Sequence, residues 1–412
     1  MDIFVARQPI LDRSQNTYGY ELLFRSGTES IFTAKDPEQA TGQVIVDSFF
    51  TSNLGVITGN HRAFINFTRE TLLRGYATFL PKETVVVEIL ENVAPEKDIL
   101  SACRNLKELG YTLALDDFEG SSKMAPLVKL ADIIKIDFLQ TSRAACRSLA
   151  HQFRRQRKTL LAEKVESQED YAEAVKMGFE LFQGYYFGKP ARVHARAMPE
   201  SRVAKLALVR AAQEKPLDMM RIEQIIKRDA ALSYRLLKMI NSAFFGMSKE
   251  IVSIRRAILL LGEKQIQKWA SLLGLACMAE GKPPELLLTA IVRARFCELP
   301  SPLIGMGRRQ DEAFLFGMFS LFDAILDMPM RDILNGILLA PDLTAALLGE
   351  ESVLRHLFQA MTAFETGNWA ALSELQSKGY LPEAEISKSY FEAVRWATPF
   401  LEETGAEQSS RA

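Results

Sequence analysis

Two adjacent aspartates, Asp116 and Asp117, stand at the end of the apolar run Thr112-Leu113-Ala114-Leu115. Alone, they are an ordinary way to begin a turn after a strand. Their company changes the reading: Glu21, Asn66, Glu88 and Glu166 also fall in or just after short β-branched or apolar runs, and Lys135 lies within another. If the C-terminal ends of those runs meet, the carboxylates repel one another unless cations sit between them. Oxygen-only ligands favour magnesium or manganese over zinc, and successive aspartates let one carboxylate bridge two ions while its neighbour binds one. Two such ions about 3.5–4 Å apart activate a water and steady the leaving oxygen of a phosphodiester. Lys135 either orients that water or makes a salt bridge to the same carboxylates. Arg25, four positions after Glu21, offers a planar fork for a phosphate or is a surface arginine.

The elements that must position these residues are short strands alternating with amphipathic helices up to about residue 190. The runs are Phe64 to Phe67, Thr84 to Leu90, Thr112 to Phe118, Asp132 to Asp137, Thr159 to Val165 and Phe182 to Phe187, with one more around Tyr18 to Phe24. They predict a TIM-like (β/α) barrel, with a doubly wound sheet as the alternative. The polar residues at the C-terminal parts of most runs favour the barrel, whose active sites are built at that end. After Gly188-Lys189-Pro190 the periodicity becomes helical. Ser253 caps a helix whose stripe is Ile254, Ala257, Ile258 and Leu261, with Gly262 closing it. Leu232, Leu236, Leu237 and Ile240 form another stripe, with Asp229 as cap and Gly246 as terminator. The expected fold class is α/β plus all-α: a barrel over residues 1–192, an all-helical domain over 193–405 and a tail over 406–412.

Composition narrows the function classes. Among 412 residues, 48% hydrophobic and 25% charged, there is ample material for packed cores. Fifty Lys plus Arg against fifty-one Asp plus Glu give a net charge of -1. That leaves no global basic field for a nucleic-acid backbone. The basic run His151 to Leu160 reads as the solvated face of a helix. Cys103, Cys146, Cys277 and Cys297 form no C-x-x-C pair and read as reduced core thiols. The opening residues match neither a signal nor a transit peptide, and no apolar stretch is long enough to span a membrane. The expected location is a reducing cytoplasm.

In this order the residues resemble the EAL family of cyclic-di-GMP phosphodiesterases. Gln8-Pro9 and Glu21, Leu23 and Arg25 match the family's opening strand, and Phe64-Ile65-Asn66-Phe67-Thr68 supplies its asparagine. Glu88 and Glu91 match its paired glutamates, Asp116-Asp117 its doublet, Lys135 and Asp137 its Lys-x-Asp, and Glu163 and Glu166 the next glutamate pair. Gln183-Gly184-Tyr185 to Pro190 matches the closing segment. The resemblance implies a first metal on Glu21, Asn66, Glu88 and Asp116, and a second on Asp116, Asp117 and Glu166. It assigns Lys135 to the attacking water, places Glu21, Lys135 and Glu166 in the catalytic set, and gives contacts with cyclic-di-GMP to Gln8, Arg25 and Gln183. Glu91 would brace the loop after the aspartates, the ions would be Mg2+ or Mn2+, and the product would be the linear dinucleotide pGpG.

The departures are Leu22 for the family's alanine, Phe24 for a leucine and Lys164 for a glycine, with the loop Asp116 to Met124 shortened. In the family that loop couples metal binding to dimer contacts, so the change bears on both turnover and a homodimer. The second half resembles an HDOD domain in the stretch Ile225 to Gly246 and in Ser253 to Gly262. Together the halves resemble the YuxH-like EAL-HDOD signal-transduction type. No His-Asp dipeptide accompanies the four histidines, which argues against a histidine-based metal centre in that half. Two readings of function remain open: a metal-dependent hydrolase with a regulatory HDOD module, and a non-catalytic adaptor or nucleotide sensor acting on an unknown protein partner.

Overall fold

The strands close into an eight-stranded barrel ordered β1 to β8 around the ring, which excludes the doubly wound alternative. They are β1 (Ile3–Asp12), β2 (Thr17–Ser26), β3 (Arg62–Phe67), β4 (Val85–Ile89), β5 (Thr112–Leu115), β6 (Ile133–Asp137), β7 (Thr159–Glu163) and β8 (Leu181–Phe182). This computed structural model describes residues 3–26, 54–184 and 200–404 apart from 215, 229–231, 234–235, 238–239, 242–250, 280–281, 336, 338 and 379–380. For residues 3–4, 25–26, 200–206, 277, 383 and 399–404, Arg25 and Cys277 among them, it describes the backbone alone. Asp229 and Gly246, the expected cap and terminator, lie outside the described residues.

Pairing is parallel from β2 through β8, while β1 runs antiparallel to both β2 and β8. The sequence reads as one opening strand here, whereas the chain makes a hairpin. Asp12 turns it: its Oδ1 accepts from the backbone N–H of Ser14 (2.8 Å) and Asn16 (2.9 Å), and Gln15 takes φ 63°. An aspartate whose side chain imitates a turn is a common start for such a reversal.

Crossover helices are bounded by ordinary cap chemistry. Ser142 opens Arg143–Arg155 by accepting from the Ala145 N–H, and Ser167 opens Gln168–Met177 by accepting from Asp170. Gly178, at φ 99°, closes the latter. The basic run falls on the first of these helices and beyond, where His151, Gln152, Arg154 and Arg155 are exposed.

Inside the barrel, Ile10, Phe64, Val86, Ala114, Ile133, Leu161 and Leu181 form one buried apolar layer. Because strand side chains alternate with period two, the next inward position lies two residues further along each strand. Moving toward the C-terminal ends from that layer gives Asn66, Glu88, Asp116, Lys135, Glu163 and Gln183. On the reversed β1 the corresponding step is backward, to Gln8. Gln8 pairs in register with Glu21 on β2. A hydrophobic floor thus carries a polar upper layer.

The chain divides into two compact units, Met1–Lys189 with Thr362–Ser377, and Pro190–Met361 with Lys378–Ala412. Within the first, Trp369 packs edge-on against Phe364, and Gln8 Nε2 donates to the Thr366 carbonyl at 3.0 Å. The second unit is helical. Ser253 caps helix Ile254–Met278 by accepting from Arg256, and Gly262, at φ 71°, interrupts it where a terminus was expected, so the helix resumes at once. Leu232, Leu236, Ile240, Ala257, Ile258, Leu261 and Trp269 share one core cluster. Asn241 holds Ile251 through both of its amide atoms. Helices Pro284–Glu298 and Gln310–Phe319 approach so closely at Gly317 that a Cβ there would lie 2.1 Å from the Arg293 carbonyl oxygen. No helix among the described residues is long and apolar enough to cross a membrane.

Candidate metal and active site

Lys135 is the centre of the polar layer. Its side chain is fully buried, and its ammonium lies 2.8 Å from Asp116 Oδ1, 2.8 Å from Glu163 Oε1 and 3.5 Å from Glu21 Oε2, with Glu88 also in direct contact. Burial alone would strip the proton from such a lysine, but Glu163, Glu21, Glu88 and Asp116 hold its pKa well above the ordinary value. The salt-bridge role foreseen for Lys135 is therefore realised in this structure.

One ammonium cannot serve four carboxylates. Burial drives Glu88 well above the usual carboxylate range, and pushes Glu163 up to about 8, in both cases against the pull of Lys135. Asp116 behaves oppositely: burial raises it, yet the charge and hydrogen bond of Lys135 bring it below its ordinary value. Asp117 is raised by burial and by the negative Asp116 beside it. The site is a bed of carboxylates short of positive charge.

The amides complete the ring. Asn66 Nδ2 donates to Glu21 Oε1 at 3.2 Å. Gln183 Nε2 donates to Glu21 Oε2 at 2.8 Å and to Gln8 Oε1 at 3.0 Å. Asn66 Oδ1, Glu88 Oε2, Asp117 Oδ1, Glu163 Oε2 and Gln183 Oε1 are buried acceptors without a hydrogen-bond partner. Each such atom costs about 1–3 kcal/mol, more when charged, so their concentration here suits a ligand that supplies positive charge. Asp116, Asp117 and Glu163 each offer an oxygen within 4.8 Å of the others, a spacing fit for a hard divalent cation.

The doublet is set by its backbone. The Asp116 N–H continues the ladder to the Ile89 carbonyl, and the Phe118 N–H reaches back to the Lys135 carbonyl at 2.9 Å. Between them Asp117 turns at φ 39°, while Phe118 is buried edge-on against Phe153. The following loop passes through Gly120 into the turn Ser122–Met124.

The structure thus brings together Gln8, Glu21, Asn66, Glu88, Asp116, Lys135 and Gln183, with Asp117 at the edge. Glu166 is exposed in the loop beyond β7. Glu163 stands in the cluster, and strand alternation gives the reason: Leu161 faces the interior, so the next inward residue is Glu163. Counting in twos from Leu161 would have found it. Glu91 is exposed in the turn after β4. Arg25 pairs with Phe4 through the β2 backbone, but its side chain lies outside the described ones.

A family model for the EAL domain matches residues 44–190, and one for the HDOD domain matches residues 198–321. YuxH of Bacillus subtilis, an uncharacterized protein, is 33% identical over 405 residues, covering 96% of this chain and 98% of its own. The chain belongs to the EAL-HDOD family. A second member, named cyclic di-GMP phosphodiesterase CdgJ, from Vibrio cholerae, is 34% identical over 397 residues, covering 96% of this chain and 92% of CdgJ. Among solved structures, a calcium and cyclic-di-GMP complex of Klebsiella pneumoniae BlrP1 is 22% identical with a TM-score of 0.38, covering 45% of this chain and 55% of that one. This EAL-HDOD chain carries the EAL match over most of its barrel and the HDOD match within its helical half.

Proposed function

We propose that this EAL-HDOD protein is a cyclic-di-GMP phosphodiesterase, hydrolysing one phosphodiester of the cyclic dinucleotide to give linear pGpG, with the HDOD half as a regulatory or docking module. The observation that carries the reading is the convergence of Glu21, Glu88, Asp116 and Glu163 on one barrel end, with buried acceptors unpaired around them. Glu21, Asn66, Glu88, Asp116, Asp117 and Glu163 are the residues that would hold Mg2+ or Mn2+. Bound divalent ions supply Lewis-acid activation of water and neutralise charge on the phosphodiester. Lys135 keeps the carboxylates gathered and their charge tolerable. Gln183, which donates to both Gln8 and Glu21, orders the adjoining rim for the nucleotide together with Gln8. The CdgJ name, at 34% identity over nearly the full length, supports the same substrate.

The test is the purified full chain incubated with cyclic-di-GMP and Mg2+ or Mn2+, beside Glu21→Ala and Asp116→Ala. Linear product from the parent and not from the variants is expected. Binding without product would favour a sensor or adaptor, a reading for which Lys164 beside Asp117 is the specific motive. Neither binding nor product would overturn the proposal.

A further inference from the structure

Lys164 stands immediately after Glu163 in the left-handed region, at φ 53°, a conformation that glycine adopts freely and a lysine rarely does. From there its ammonium contacts Asp137 Oδ2 directly and lies 3.7 Å from Asp117 Oδ1. Asp117 Oδ1 is one of the buried acceptors without a hydrogen bond. The other oxygen of Asp137, Oδ1, is already taken by the N–H groups of Leu139 and Gln140, at 2.7 and 2.8 Å. Among the described residues, two separate positive charges stand at this barrel end. Lys135 lies deep among Glu21, Glu88, Asp116 and Glu163, while Lys164 stands at the rim between Asp117 and Asp137.

We infer that Lys164 is an internal competitor for a divalent cation at Asp117, so that the carboxylate cluster takes its first ion readily and its second only against the lysine. This deepens the proposed function and rests on its reading that the cluster holds cations. The two lysines differ in a way that matters. Lys135 has no exposed surface and four carboxylates around it, so it stays charged and in place. Lys164 has a side chain 43% exposed on a flexible stem and can swing into water when a stronger cation arrives. An ion on Asp117 must either displace that ammonium or endure its repulsion across a few ångströms. Bulk alone does not describe this residue, because its head group is engaged with carboxylates and the residue as a whole is exposed.

The test is titration of the full-length protein with Mn2+, read by calorimetry and by the electron paramagnetic resonance signal of the bound ion. The parent is expected to bind one ion, with a second at least tenfold weaker. Lys164→Gly, which also relieves the backbone, should strengthen the second ion about tenfold and leave the first unchanged, bringing a spin-coupled pair into view. Lys164→Gln keeps the length and removes the charge, and should recover most of that gain. A parent that binds two ions equally, or variants whose second ion binds no better, would sink the inference while leaving the cation reading intact. Absence of any bound ion in parent and variants would remove both, and is recognised because the first ion is missing too.

Discussion

Leu161 and Glu163 lie two residues apart on β7, and that single step separates the apolar floor of the barrel from its charged layer. Leu161 packs with Phe64, Val86, Ala114 and Ile133, while the Glu163 carboxylate meets the Lys135 ammonium at 2.8 Å. Glu166, three residues further, has left the strand and is exposed. Glu163→Gln is expected to lower cyclic-di-GMP turnover by about 100-fold or more, as loss of a ligand or charge-stabilising group does. Glu166→Gln should stay within about threefold of the parent, in the manner of an exposed substitution. Equal losses in steady-state rates would contradict the assignment.

Removing the buried cation is a sharper perturbation. Lys135→Met leaves Glu21, Glu88, Asp116 and Glu163 without their shared partner, which should cost about 3–5 kcal/mol without added metal. The melting transition of the barrel unit is expected to fall by roughly 10 °C. Saturating Mn2+ should narrow the gap between variant and parent, because the ion supplies the charge that the lysine gave. Thermal melts with and without Mn2+ check this, and an unchanged apo transition would count against it.

The raised glutamates predict how ion binding responds to pH. With its pKa pushed up to about 8 by burial, Glu163 is mostly protonated at pH 7, and a protonated carboxyl cannot ligate. Binding must then expel that proton, so Mn2+ affinity should rise with pH, by roughly tenfold per unit near neutrality, and level off above about 8. Glu88, also raised by burial, adds in the same direction. Calorimetry in two buffers of different ionisation enthalpy reads the proton count directly. Affinity that falls as pH rises from 6 to 8 would refute the assignment.

A fourth expectation concerns the helical unit. Adding a methyl group at Gly317 would place it 2.1 Å from the Arg293 carbonyl oxygen and 2.8 Å from the Ala294 Cα, where backbone and not a flexible side chain must yield. Gly317→Ala should therefore destabilise that unit by about 1–3 kcal/mol, the usual cost of overpacking. Urea unfolding followed by the fluorescence of Trp269 and Trp396 measures it.

Much of the barrel was legible because its signal is local. Short β-branched runs between amphipathic stretches mark strands β2 to β7 wherever one reads them, while the run Phe182 to Phe187 meets β8 only at Phe182 and passes beyond the described residues. The first strand was hidden because Arg7 to Arg25 reads as one extended stretch unless Asp12 is given its turn-forming role. Glu163 and Glu166 are told apart by a different rule. Motif matching treats two glutamates three residues apart as interchangeable, whereas a strand allows only every second residue inward. Lys164 was legible as a departure but not as an ion-pairing group, since its contact with Asp137 depends on a backbone turn and on two strands adjacent in space, β6 and β7.

The barrel unit is assembled from two stretches of chain, Met1–Lys189 and the far-removed Thr362–Ser377, and the later stretch supplies the carbonyl that Gln8 grips. A fragment ending near residue 189 would therefore be missing a piece of its own body. Its rim glutamine would be released, and any affinity measured on it would belong to an altered molecule. Excision at the obvious boundary yields less than half a story, and the intact polypeptide is the natural object for enzymology.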